Sequence, residues 1–198
     1  IACSDSDACT NIIDRAVDSG IQIICFDTDA PDSKRLAFVG SDNYEFGYLL
    51  GKTACELVSE RGGGTLIIEN GIPTQMGMIQ RLEGVEDAVA EFDDVEIAVV
   101  NAHPNGTTEA LSNVENAIAA NPDFAGLCYL DAGGEIAVNV WTARNWTKED
   151  KIAVLSDDLN MVIQGVKDGT VNATIVQGQY NWGYVGTEVL WDAINGVM

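Results

Sequence analysis

IQIICFDTDAPDSKRLAFVGSDN, residues 21 to 43, is the stretch from which the fold is read. Ile21 to Phe26 is a short run, apolar apart from Gln22 and rich in isoleucine. It predicts a strand covered on both faces, as in parallel sheets. It stops at Asp27-Thr28-Asp29. In an open α/β sheet the loop at a strand's carboxyl end faces the ligand crevice, so three polar residues there can aim oxygens at a small molecule. The plainer reading is that Asp27 only caps a turn. Ala30-Pro31-Asp32-Ser33 makes the turn, Leu36 to Val39 is a second apolar strand, and Gly40-Ser41-Asp42-Asn43 opens a helix with good N-cap candidates.

Outward from this stretch, strands and helices alternate with short joints. Ile1-Ala2-Cys3 reads as the end of a strand. Ile12, Ile13, Ala16 and Val17 recur at helical spacing before Gly20. A helix is expected over 43–61, its stripe made by Phe46, Leu49, Leu50, Ala54, Leu57 and Val58. Gly47 and Gly51 lie on that helix and suit close packing against another backbone. Gly62-Gly63-Gly64 lacks the Lys-Ser/Thr of a phosphate loop. Further strands are expected at 65–69, 95–101, 124–130, 151–155 and 173–176. The helices between and after them fall at 74–91, 107–120, 135–145, 159–168 and 179–195. This alternation predicts doubly wound parallel sheets with helices on both faces.

Composition narrows the function. The net charge of −21 argues against nucleic acid, whose phosphates need Lys and Arg. It argues equally against an anionic membrane surface. No run is apolar enough to span a bilayer. The five cysteines are odd in number and scattered, which is no disulfide framework. Spacing alone cannot establish a Cys3–Cys9 bridge, and Cys25 and Cys128 read as small core residues.

The residues at the expected strand ends are Asp27, Asn70, Asn101, Asp131, Asp157 and Gln177. Carboxylates accept hydrogen bonds, and carboxamides accept and donate. Such a set matches a neutral polyol and suits a phosphate poorly. Polar strand ends also occur simply because they meet water. Catalysis finds little support. The single histidine, His103, sits in a loop, and no Ser or Cys has an evident base. No EF-hand spacing or Cys/His metal cluster is present.

FDTDAPDSKRLAFVGSDN, VLSDD, YLDAGGE and ATIVQGQYNWGY together resemble the ribose-type sugar-binding proteins, the type I periplasmic solute-binding proteins of ABC importers. The resemblance runs along the whole chain. It implies an α/β protein of two doubly wound lobes joined by a hinge, with residues 1–41 and 178–198 in a first, incomplete lobe and residues 42–177 in the second. Relative to that family the chain starts late and stops early, by roughly 60 residues at the front if each βαβ unit takes about 30. An apolar face is therefore expected around Ile21 and Leu36 of the smaller lobe.

By the same resemblance the sugar-holding groups in the interlobe cleft are Asp27, Asp157 and Gln177, with Asp131 in the place of another ligand residue. Thr28 stands where ribose binders have Arg, and Asn105 where they have a stacking aromatic. Ile79 in GMIQRLEGV also replaces a sugar-holding Arg, although Arg81 and Gly84 keep the frame. A sugar or polyol other than ribose is implied, with Tyr180 and Trp182 as aromatics able to stack on a ring.

The implied protein is no enzyme and needs no cofactor and no metal. It would be a monomer that passes its sugar to an ABC transporter permease, and would lie in the periplasm or on the cell surface as a lipoprotein. A ligand-sensing domain of a kinase or chemoreceptor, or the effector domain of a LacI-type repressor, would share the fold. The joint SERGGGTLII lacks the Gly-His pair usual in those repressors.

Overall fold

The computed structural model describes residues 1–102 and 108–197. The described residues divide into two compact units, one formed by Ile1–Asp42 with Gln177 onward, the other by Asn43–Val176.

The larger unit is a parallel sheet of five strands wrapped by helices. Its elements are α2 (Asn43–Ser59), β3 (Gly64–Asn70), α3 (Met76–Val89), β4 (Val95–Ala102), α4 (Thr108–Ala120), β5 (Gly126–Tyr129), α5 (Gly134–Ala143), β6 (Ile152–Ser156), α6 (Asn160–Asp168) and β7 (Ala173–Ile175). The strand order is β4-β3-β5-β6-β7, with every pairing parallel. The chain leaves β3 for β4 on one side and returns to β5 on the other. That reversal places a topological switch point at the carboxyl ends of β3 and β5.

Each face of the sheet has its own core. Leu50, Ala54, Val58 and Val85 from α2 and α3 pack on Leu66, Ile68, Cys128 and Val154. Val114, Ile118, Val138, Trp141 and Val162 pack on Ile67, Leu127, Ala153 and Leu155. Consecutive strand residues thus point to opposite, equally apolar layers, which is why these strands read as continuous apolar runs. Trp141 is fully buried beside Phe124 and the half-buried Trp146.

Helices α2 and α3 meet backbone to backbone. A Cβ on Gly47 would lie 2.0 Å from the Arg81 carbonyl oxygen, and one on Gly84 would lie 2.2 Å from that of Tyr44. The close approach expected at Gly47 is therefore real, and Gly84 is its counterpart. Leu49, placed on the buried stripe by periodicity, is instead half exposed.

The smaller unit holds α1 (Ser6–Asp18), β1 (Ile24–Phe26), β2 (Ala37–Val39) and α7 (Gln179–Asn195). Strand β1 pairs with β2 in parallel, Cys25 opposite Phe38. Ile1 continues that arrangement on the other side of β1. Its amino group donates to Ile24 O at 3.0 Å, and Phe26 N–H donates to Ile1 O at 2.9 Å. The strand expected from Ile21 shortens to three residues, because Ile21 and Gln22 are exposed ahead of it and have no pleated neighbour. Nor is it covered throughout, since Phe26 is exposed. The buried core of this unit is small: Cys3, Ile13, Cys25 and Ala30 form its cluster, and Ile24 is buried as well. Ile12, Ile21, Phe26 and Leu36 are all exposed.

Candidate functional site

In the larger unit the polar residues at the strand ends are organised by β5, β6 and β7. Asp157 directly follows β6 and is buried. Its backbone is left-handed, with φ +69°. A residue with a Cβ adopts that region at a cost, which Asp tolerates better than most. Strand β7 holds it there from both sides. Asp157 N–H donates to Ile175 O at 2.8 Å, and the Thr174 hydroxyl donates to Asp157 O at 2.6 Å. One residue earlier, the Ser156 hydroxyl donates to Tyr129 O at 2.7 Å and ties β6 to β5.

Asp131 sits at the switch point, two residues past β5, and is also buried. Its Oδ2 accepts from Gly71 N–H at 2.6 Å and its Oδ1 from Gly133 N–H at 2.9 Å. It therefore braces the loops after β3 and β5. Asn70 is buried, with Oδ1 accepting from Ile72 N–H at 3.2 Å. Asn101 donates to the Glu69 carboxylate at 2.8 Å.

Sequence reasoning missed Arg81 as a component of this region. It is buried on α3, its guanidinium 4.1 Å from the centre of the Phe46 ring. It donates to Leu130 O at 2.6 Å and to Asn43 Oδ1 at 2.9 Å. The backbone just before Asp131 is thus pinned by a cation. The available signal was helical spacing, because Arg81 falls three residues after Met78 and four before Val85, both on the buried face.

In the smaller unit Asp27 follows β1 and repeats the geometry of Asp157. Its φ is +63°, and its N–H donates to Val39 O, the last residue of β2, at 3.2 Å. Thr28 N–H closes a tight turn onto Phe26 O at 2.7 Å. The Thr28 hydroxyl oxygen is buried with no hydrogen-bond partner among the described residues. Asp29, the third polar residue of this loop, is occupied. It pairs with Arg35 through both oxygens, and its Oδ1 also takes the Ala30 N–H at 2.8 Å. Gln177 lies just beyond β7, half buried, and groups with the smaller unit. Tyr180 at the start of α7 is almost wholly exposed, and Trp182 is half buried. Asn105 and His103 lie outside the described residues.

Among the described residues no three His, Cys, Asp or Glu side chains are grouped to hold a metal ion, and no helix is long and apolar enough to cross a membrane.

Parallel sheets with acidic and amide groups at their carboxyl ends, split between two units, define the type I periplasmic binding protein architecture. Comparison with known proteins agrees. The family model described as a periplasmic binding protein domain matches residues 1–197, and the chain belongs to that family. A ribose import binding protein of Salmonella typhimurium is 29% identical over 198 residues, covering 98% of this chain and 64% of the relative. A sugar-binding protein of a sugar ABC transporter from Bacillus halodurans superposes with a TM-score of 0.88 at 28% identity, covering 100% of this chain and 68% of the other. A periplasmic solute-binding protein from Actinobacillus succinogenes, solved with D-allose bound, gives 0.87 at 28% identity, covering 97% and 70%. The chain thus spans just under two thirds of the length of the ribose-binding relative.

Proposed function

We propose that the protein is an extracytoplasmic solute-binding protein that captures an uncharged monosaccharide or polyol and delivers it to the permease of an ABC importer, without catalysing a reaction on it. Asp27, Thr28 and Gln177 of the smaller unit and Asp131 and Asp157 of the larger one are the ligand-facing groups. The observation that carries this reading is the matched pair of aspartates. Both Asp27 and Asp157 end a parallel strand in the left-handed region, with the N–H tied to the last residue of the neighbouring strand. Strained backbone of this kind is retained where a side chain must be presented in one direction. A carboxylate so presented accepts hydrogen bonds from hydroxyls. The Thr28 hydroxyl, buried and unsatisfied, supports the same reading, since a ligand hydroxyl would remove the cost of leaving it unpaired.

The test is a thermal-shift screen of the full-length protein against neutral sugars, polyols and sugar phosphates. A neutral ligand at 100 times its Kd adds about 2.7 kcal/mol to folding stability and raises the melting temperature accordingly. Asp157→Ala should weaken that ligand by roughly 1.5–3 kcal/mol, the range for hydrogen bonds to charged groups. Stabilisation by sugar phosphates alone, or an Asp157→Ala protein that binds as well as the parent, would sink the proposal.

A further inference from the structure

Three thiols meet inside the smaller unit. The sulfurs of Cys3 and Cys25 lie 3.7 Å apart, and both residues are buried. Cys9, on the first turns of α1, packs against the same cluster as Cys3 and Cys25, and it alone of the three is partly exposed. All three are free thiols here. They do not form a metal site by arrangement. Packing as small hydrophobes would account for any one of them, but not for a buried pair in sulfur contact with a third thiol at the surface.

We propose that Cys3 and Cys25 close a disulfide under oxidising conditions, and that Cys9 is the thiol through which the oxidant reaches them. The backbone already supplies the alignment. Ile1 is bonded on both sides to the strand carrying Cys25, and Cys3 N–H donates to Thr28 O at 3.2 Å. Closing the sulfurs from 3.7 Å to a bond length of about 2.05 Å asks for side-chain rotation. Cys3 is a poor first nucleophile. Burial, aided by the neighbouring Cys9 and Cys25 thiols, pushes its pKa up to about 12, and the thiolate is the reactive form.

The oxidant is an external disulfide, such as oxidised glutathione or a thiol–disulfide oxidoreductase. Cys9 as thiolate attacks one sulfur of it, forms a mixed disulfide and expels one thiol. Cys3 then attacks the Cys9 sulfur, giving a Cys3–Cys9 bond and expelling the second thiol. Cys25 finally attacks the Cys3 sulfur, which forms the Cys3–Cys25 bond and returns Cys9 to a thiol. The electron pair and two protons lost by Cys3 and Cys25 leave on the two thiols derived from the oxidant. The last exchange is favoured because the Cys3 and Cys25 sulfurs are already in contact, 3.7 Å apart, in the folded unit. The product staples the start of the chain to β1, two residues ahead of Asp27.

The experiment is a disulfide map of the native protein after incubation with oxidised glutathione, alkylation and trypsin digestion. Trypsin cuts after Arg15 and Lys34, so Cys3 and Cys9 share the peptide 1–15 while Cys25 lies in 16–34. The expected species is 1–15 linked to 16–34, with fragmentation placing the bond at Cys3 and the alkyl group at Cys9. Cys9→Ser should reach the same link severalfold more slowly. A bridge confined to 1–15, a link through Cys9, full alkylation of all three thiols, or an undiminished rate in Cys9→Ser would each overturn the proposal. The wild-type map decides the bond whether or not a variant folds.

Discussion

Replacing Gly47 by alanine would force α2 and α3 apart. The new Cβ would stand 2.0 Å from Arg81 O, 2.5 Å from its Cα and 2.6 Å from its carbonyl carbon, all backbone atoms that cannot rotate away. Ordinary contact begins at 3.4 Å, so α3 must shift by more than an ångström. Arg81 moves with it, and its 2.6 Å bond to Leu130 O stretches toward about 4 Å, beyond hydrogen-bonding range. Overpacking costs about 1–3 kcal/mol, and the lost bond from a charged donor about 1.5–3 kcal/mol. Against these stands about 1 kcal/mol gained from helix propensity. The net expectation is a loss of about 1.5–5 kcal/mol, read from urea denaturation by far-ultraviolet circular dichroism. The same change at Gly183 on α7 meets nothing within 4 Å, so Gly183→Ala should stabilise by about 0.4–1 kcal/mol. A Gly47→Ala protein as stable as its parent would refute the backbone contact between α2 and α3.

Three further outcomes are expected. Thr174→Val removes the hydroxyl that holds Asp157 O and should lower ligand affinity by about 1 kcal/mol in calorimetric titration of the full-length protein; unchanged affinity would show that the clamp is dispensable. Alkaline pH should destabilise the fold. Burial, then the charges of Asp94 and Glu56, pushes the Cys55 thiol up to about 12, and burial also raises Cys128 and Tyr129. An unfolded thiol releases its proton near pH 8.5, so the native state holds more protons above that pH. Stability from this source is complete below about pH 8.5 and is lost as pH rises toward the folded value; a urea midpoint that stays constant from neutral pH to about pH 10 would contradict it. Sugar affinity should vary little between low and moderate salt, because the proposed contacts release no counterions, and a steep salt dependence would point to an anionic ligand.

Much of the architecture was legible because parallel α/β sheets write a strong pattern. Strands such as Leu66–Ile68 and Leu127–Tyr129 are buried on both faces and read as unbroken apolar runs between amphipathic helices. What failed to show had local physical causes. Leu49 and Ile12 satisfy helical spacing but face solvent, since periodicity fixes a stripe without fixing its width. Arg81 was read past because a cation on a helix is normally exposed, and its burial follows from tertiary partners such as the buried Phe46 ring, the Leu130 carbonyl and Asn43. Among the strand-end residues, type alone could not separate roles. Asp29 serves Arg35 and Asp131 braces two loops, while Asp157 is held by its backbone.

That last distinction bears on the turn-capping and binding readings. A carboxylate that merely caps a turn accepts from backbone N–H groups of its own loop, as Asp131 does from Gly133. Asp27 and Asp157 share a backbone feature that Asp131 lacks. The N–H of each is spent on a neighbouring strand, at Val39 O and Ile175 O, and φ is driven positive to keep it there. Glycine would take that conformation at no steric cost. An aspartate in its place costs stability at two strand ends, one in each unit, and sheet pairing alone does not require a carboxylate. In the function proposed above, a hydroxyl-bearing ligand is a partner that the chemistry of this side chain fits.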